Sequence, residues 1–179
     1  MRSFYTTKNI ISSSYSTNLM KKLINYLYLL SIKYNKNNIR VLPGILRQII
    51  YLLSSCELSE KITVGKQFKL THPTGVVIAR DVIFGDKVWV AQNVTIGGNF
   101  GRSRNGRTFP IIGSTVKIMS GAVVVGPIVI GDNVVIGANS VVTRDVASGS
   151  IVSGIPAKVI RTITSDEIQM LTERPTFRL

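Results

Sequence analysis

The sequence predicts an all-β solenoid over residues 57–163, and two observations carry this prediction. Large apolar residues recur at every sixth position, and the next residue is in most cases Gly or Ala. This period does not fit a helix of about 3.6 residues per turn, but it fits a very short strand followed by a sharp corner. The apolar positions are Ile78, Phe84, Val90, Ile96, Ile112, Ile118, Val124, Ile130, Ile136 and Val142.

Three six-residue units make one triangular turn, and stacked turns bury the apolar column in a continuous core. Gly, Asn and Asp between the strands accept the backbone angles that tight corners require. The small residues that follow the apolar ones are Ala79, Gly85, Ala91, Gly97, Gly113, Gly131 and Gly137.

The period breaks once, between Ile96 and Ile112, which are 16 residues apart. The intervening segment GGNFGRSRNGRTFP is rich in Gly, Arg and Asn, and it predicts a loop over residues 97–111 that leaves the solenoid. No Gly-Lys-Ser/Thr sequence completes a phosphate-binding P-loop here. Insertions in repeat proteins tend to gather on the functional face, although solvated surface charge explains the loop arginines equally well.

Residues 1–56 predict an N-terminal helical region, because apolar residues at helical spacing over 18–34 and 44–55 indicate two amphipathic helices. This region contains eight Lys and Arg residues and no Asp or Glu, and the chain has a net charge of +13. We expect it to pack on the solenoid or on another subunit; peripheral contact with an anionic membrane surface is the alternative. A C-terminal helix and tail are predicted over 164–179, starting with a capping box from Thr164 to Glu167.

The composition limits the cellular location and the binding partners that we expect for the protein. Cys56 is the single cysteine and cannot form an intrachain disulfide, so we expect a reducing, cytoplasmic location, with membrane association as the alternative. No apolar run approaches the roughly 20 residues that a spanning helix needs. No nucleic-acid recognition motif accompanies the basic charge, and nucleic acid is therefore not an expected partner.

From Cys56 to Arg161 the chain resembles the hexapeptide-repeat acetyltransferases, in the branch of the serine acetyltransferases and their relatives that acetylate sugars in polysaccharide assembly. The motifs that carry the resemblance are FKLTHPTGVVI, FGDKVWVAQNVTIGG, IGANSVVTRDV and GIPAKVIR, in that order. The resemblance implies a left-handed parallel β-helix. It also implies acetyl-CoA as the acyl donor, no metal, and a homotrimer in which the neighbouring subunit completes each active site.

His72, the only histidine, lies where the resemblance places the catalytic base, and Glu57 lies where it places the acidic partner. An imidazole is well matched to removing a proton from a hydroxyl that attacks a thioester at neutral pH. A carboxylate on the other ring nitrogen would fix the tautomer and stabilise the imidazolium. Without the resemblance, a lone histidine is more often structural.

The resemblance also indicates how the donor would bind. Gly98, Ser120 and Ala138 lie where the family lines the groove for coenzyme A between neighbouring solenoids, and a backbone N–H near Gly98 would stabilise the oxyanion. Lys158 and Arg161 could meet the phosphates as charge-assisted donors. Ordinary surface charge is the alternative for these two residues.

The acceptor prediction rests on two departures from the serine enzymes. Thr71 replaces an Asp before the catalytic His, and Thr108 and Phe109 replace an Arg-His pair. A zwitterionic amino acid buried against Phe109 would leave charges unpaired. We therefore expect an O-acetyltransferase acting on a sugar hydroxyl in polysaccharide biosynthesis, with Thr71, Gln92, Asn93 and Phe109 lining the acceptor site.

Two other functions remain open, and the sequence excludes a third. Serine O-acetyltransferase activity remains an alternative, as does a non-catalytic scaffold subunit, because a repeat solenoid needs no active site to be stable. A γ-type carbonic anhydrase, which shares this solenoid, needs three histidines on one zinc, and the sequence contains a single histidine.

Overall fold

The computed structural model describes residues 7–39, 41–99 and 101–173, and its helices lie at the two ends of a coil of short strands. Helix α1 spans Thr7–Lys36, α2 spans Val41–Ser54 and α3 spans Ser165–Glu173. The helix predicted over 18–34 lies inside α1, and the one predicted over 44–55 overlaps α2 closely. Residues 1–6 and 174–179 of the predicted terminal regions lie outside the described residues.

The strands are two to six residues long, and almost all of them have two or three. They are β1 (Glu57–Leu58), β2 (Lys69–Leu70), β3 (Val77–Ile78), β4 (Ile83–Phe84), β5 (Trp89–Val90), β6 (Thr95–Gly97), β7 (Ile111–Ile112), β8 (Lys117–Ile118), β9 (Val123–Val125), β10 (Val129–Ile130), β11 (Val135–Ile136), β12 (Val141–Val142), β13 (Ser150–Gly154) and β14 (Ala157–Thr162).

The chain visits three sheets in rotation and so forms a three-sided coil. The first sheet has the order β1-β3-β6-β9-β12, the second has β4-β7-β10, and the third has β2-β5-β8-β11-β13-β14. Neighbouring strands are parallel, except that β14 returns antiparallel to β13 at the C-terminal end. The predicted triangular stacking is confirmed.

The ten periodic apolar residues all lie in the core, each no more than 2% exposed. A second inward column, which the period-six count missed, lies two residues before it, because alternate residues of a strand point to the same side. Full burial of one Val or Ile side chain stabilises a fold by about 1.5–3 kcal/mol, so two columns roughly double the core. The second column contains Val76, Val82, Val88, Val94, Val116, Ala122, Ile128 and Val134.

The corners explain the small residue that follows each core position. Successive turns approach so closely there that a Cβ on Gly85 would lie 2.6 Å from the Ser114 hydroxyl oxygen and 2.8 Å from the Gly113 carbonyl carbon. The third residue after a core position often has positive φ, as in Asn93 at 57° and Asn139 at 55°. Asn is among the residues that tolerate this conformation best.

Helices α1 and α2 close the N-terminal end of the coil. Ile24, Tyr28 and Ile32 of α1 and Ile50 of α2 are buried in the same cluster as the coil interior. The Tyr28 hydroxyl donates a hydrogen bond to the Ser59 carbonyl at 3.0 Å. None of the helices in the described ranges combines the length and apolar character that a bilayer crossing requires.

The predicted loop lies between β6 and β7, and it leaves the ladder register intact. Ile83 of β4 pairs with Ile111 of β7, so the strands on either side of the insertion still stack. Arg104 forms an ion pair with Asp145 at 2.5 Å, and Arg107 donates to the Pro127 carbonyl at 3.2 Å. These two loop arginines therefore tie the loop to a later turn of the coil.

Glycine-to-alanine substitutions should have opposite effects on stability at a corner of the coil and in a helix. Gly85→Ala should destabilise the protein by about 1–3 kcal/mol, because backbone atoms of the next turn block the new methyl group. Gly44→Ala, in α2, has nothing within 4 Å of the added carbon and should stabilise by about 0.5–1 kcal/mol. Thermal unfolding of both variants checks this, and an equal effect in the two would contradict the corner packing.

Candidate active site

A cavity of about 940 Å³ lies between the outer face of the third sheet and α1. It brings together four of the residues predicted from the sequence: Thr71, His72, Gln92 and Ser120. The corner after β2 contributes the first two, and the corresponding corners of the next two turns contribute the others. The cavity is also lined by Lys21, Lys22, Lys69, Trp89 and Lys117, together with Asn18, Asn25, Gln67, Phe68, Ala91, Ile118 and Met119.

His72 is held on a short turn whose backbone is well bonded. The Thr74 N–H donates to the His72 carbonyl at 2.8 Å, and the Gly75 N–H donates to the Ser54 carbonyl at 3.1 Å. The Val76 N–H donates to the buried Cys56 sulfur at 3.4 Å, so the single cysteine supports this turn. The base candidate therefore projects from a fixed backbone.

The imidazole of His72 is largely exposed and makes no hydrogen bond within residues 7–39, 41–99 and 101–173. Partial burial lowers its pKa below the ordinary histidine value, and the positive charge of Lys21 lowers the pKa further. A lowered pKa keeps the ring neutral at physiological pH, and only the neutral ring can accept a proton.

Glu57 stands apart from this arrangement. Its side chain is exposed on β1, and its backbone N–H donates to the Val76 carbonyl at 2.9 Å. No hydrogen bond joins its carboxylate to His72 in the described part of the chain. The predicted role of Glu57 stays a prediction.

Asn25 fixes α1 to the edge of the third sheet. Strand β2 has no further strand on its outer side, and the Asn25 amide bonds the edge-facing backbone groups of Leu70 instead. Its oxygen accepts from the Leu70 N–H at 2.8 Å, and its nitrogen donates to the Leu70 carbonyl at 2.9 Å and to the Lys21 carbonyl at 2.8 Å. Lys21 is thereby placed over the cavity, beside the strand that leads into His72.

Lys117 and Trp89 form the other half of the cavity, and sequence analysis missed both. They are paired neighbours on β8 and β5, and the Lys117 ammonium lies 3.9 Å from the centre of the Trp89 ring. Burial lowers the pKa of Lys117 to about 8. The available signal was their shared position, immediately before the core residues Val90 and Ile118.

Gly98, Phe109 and Asn93 do not line the cavity. Phe109 packs partly on the core and lies against Gly98, where a Cβ would be 3.1 Å from the phenyl edge. Asn93 is an exposed corner residue. The structure thus groups Gly98 with Phe109 at the base of the loop and leaves Asn93 outside the cavity.

The remaining predicted donor residues are dispersed. Ala138 is exposed one turn beyond Ser120, and Lys158 is exposed on β14. Arg161 forms a bidentate ion pair with Glu167 of α3, at 2.6 and 2.7 Å. Because the Glu167 carboxylate also accepts the Thr164 N–H at 2.9 Å, this pair completes the start of α3 and favours a structural role for Arg161.

Comparison with known proteins finds a repeat family and several similar proteins. Residues 109–144 match the family described as bacterial transferase hexapeptide (six repeats). The serine acetyltransferase of Synechococcus elongatus is 40% identical over 120 residues, which cover 67% of this chain and 48% of that protein. The chain therefore spans about half the length of this curated relative.

Solved structures share the fold. Serine acetyltransferase from Vibrio cholerae superposes with a TM-score of 0.75 at 26% identity, over 88% of this chain and 60% of that one. A serine acetyltransferase in complex with CoA superposes with a TM-score of 0.68 at 26% identity, over 76% of this chain and 55% of that one.

The three-sided coil and the matched repeat define a hexapeptide-repeat protein. Within that class, the chain is similar to proteins named serine acetyltransferase. The predictions of a sugar acceptor and of the polysaccharide branch are wrong, because the similar proteins carry the serine name. The acceptor prediction rested on Thr71, Thr108 and Phe109, and it left out the lysines that α1 brings to the cavity.

The fluorescence of Trp89, the only tryptophan, should change as the pH rises through about 8. Lys117 then loses the positive charge that lies over the indole ring. Emission of the folded protein between about pH 6.5 and 9.5 measures this. The Lys117→Met variant should show no transition, and an identical titration in that variant would rule out Lys117 as its source.

Proposed function

We propose that the protein is an acetyl-CoA-dependent O-acetyltransferase whose acceptor is L-serine and whose general base is His72. The observation that carries the proposal is the position of His72, which lines the cavity and is held on a fixed turn. The similarity to proteins named serine acetyltransferase supports the reaction and the acceptor. It also supports the left hand of the coil.

The chemistry is a direct transfer. The serine hydroxyl oxygen attacks the thioester carbonyl carbon while its proton passes to the neutral ring of His72. The tetrahedral intermediate then collapses, the carbon–sulfur bond breaks, and the departing thiolate takes the proton back from the imidazolium. A backbone N–H near Gly98 is proposed to stabilise the oxyanion.

The donor is proposed to lie along the coil beside Ser120 and Ala138. Both are small and not fully buried, which lets a pantetheine chain approach the backbone. The relative solved with CoA supports this ligand. Lys158 is exposed and remains the proposed phosphate contact, whereas Arg161 is already paired with Glu167.

Replacing His72 tests the proposal directly. His72→Gln should lower kcat for O-acetyl-L-serine formation by about 100-fold or more, the usual scale for a general base, with little change in the Kd for CoA. Glu57→Gln should cost less and act on kcat. Production of O-acetyl-L-serine, followed by mass spectrometry, is the measurement.

Two results would overturn this function. A His72→Gln variant that keeps more than about a third of the wild-type rate would make His72 structural. If the wild-type protein binds CoA but consumes no thioester in the presence of L-serine, the protein is a non-catalytic scaffold subunit instead.

We further propose a homotrimer, on the resemblance of the motifs and on the coil shared with the solved serine acetyltransferases. Light scattering coupled to size-exclusion chromatography should give three times the monomer mass. Specific activity should fall on dilution below the assembly constant, because each site would need its neighbour. A fully active monomer would contradict the proposal.

A further inference from the structure

The cavity carries a strong positive charge. Four lysines line it, namely Lys21, Lys22, Lys69 and Lys117, and none of the described lining residues is Asp or Glu. Several charges of one sign around a concave site raise the local concentration of ligands of the opposite sign. The cavity is therefore built for an oxyanion, which could be a carboxylate or a phosphate.

We propose that Lys21 binds the carboxylate of the acceptor amino acid while His72 receives the proton of its hydroxyl. This inference rests on the proposed function and assigns the residue that selects the acceptor. Both side chains line the same cavity. The positive charge of Lys21 also contributes to the lowered pKa of His72. Serine carries its carboxylate only a few bonds from its hydroxyl, so the selecting cation must lie near the base.

Lys21 is held in this place by Asn25. The Asn25 amide bonds the backbone of Leu70 on one side and the Lys21 carbonyl on the other. Leu70 is followed directly by Thr71 and His72. The same side chain therefore sets the position of the cation on α1 relative to the base on the coil, and Asn25 is a positioning residue.

The other lysines fit the acceptor carboxylate less well. Lys22 and Lys69 are exposed, and Lys117 lies over Trp89 on β8, two strands from β2. Strands are spaced by about 4.8 Å, so Lys117 starts about 10 Å further along the sheet than Lys69. Lys117 and Trp89 bound the far half of the cavity, where a donor phosphate is the competing occupant.

Lys21→Met tests the assignment, with Lys33→Met as the matched control. Lys33 lies on the same helix, is exposed, and does not line the cavity. Loss of one charge-assisted hydrogen bond should lower kcat/KM for L-serine by about 10- to 100-fold, mainly through KM. The KM for acetyl-CoA should change less than about twofold, and acetylation of ethanolamine, which lacks a carboxylate, less than about threefold.

A pH profile gives a second readout. Removing the positive charge of Lys21 should raise the pKa of His72, since a nearby cation disfavours the imidazolium. On acidification, the imidazole of the Lys21→Met variant therefore becomes protonated at a higher pH than that of the wild-type protein. The acid limb of kcat should therefore move to higher pH in Lys21→Met and stay in place in Lys33→Met.

Binding can be followed without turnover, because Trp89 lines the cavity. Fluorescence titration with L-serine should show saturation in the wild-type protein and in Lys33→Met, and a weaker response in Lys21→Met. If the wild-type protein binds L-serine in this way but does not acetylate it, the proposed function fails and the carboxylate site stands.

Two outcomes would overturn the inference. If Lys21→Met raises the KM for acetyl-CoA and leaves that for L-serine unchanged, the cavity holds a phosphate of the donor. If L-serine kinetics and binding are the same in Lys21→Met and Lys33→Met, Lys21 does not contact the acceptor.

Discussion

The inward stacking of two apolar residues per six-residue unit is the constraint on which the whole structure depends. Most strands are two or three residues long and would not persist alone, since an isolated hairpin is at best marginally stable in water. They persist because each lies directly over the corresponding strand of the previous turn, as Val90 lies over Leu70 and under Ile118. Every other feature, including the small corner residues, follows from keeping those columns in register.

A stacked core has open ends, and the site arises where one end is closed. The α1–α2 hairpin covers the interior of the first turn with Ile24, Tyr28 and Ile50. The edge strand β2 would otherwise expose its backbone, and Asn25 bonds it. The cavity is the space left between α1 and the sheet. Because α1 must pack on the end of the coil to cover its core, its lysines Lys21 and Lys22 come to line this cavity.

The periodic part of the molecule could be predicted from the sequence, since a repeat fixes burial, corners and stacking together. His72, Thr71, Gln92 and Ser120 were found because they belong to motifs on the coil. Lys21, Trp89 and Lys117 were not, because the docking of α1 and the contact of outward side chains depend on tertiary packing. The acceptor prediction rested on Thr71 and on the loop residues Thr108 and Phe109, and these positions do not reveal that α1 brings lysines to the cavity.

The loop between β6 and β7 joins two strands whose partners are already fixed by the coil. The ladder from Ile83 through Ile111 to Val129 runs on as though the insertion were absent. Each doubling of the length of a flexible loop costs only about 0.6 kcal/mol in closure entropy. A change in the length of this segment therefore costs little in closure entropy, and sequence variation between the contacts that Arg104, Arg107 and Phe109 make can accumulate without altering the core.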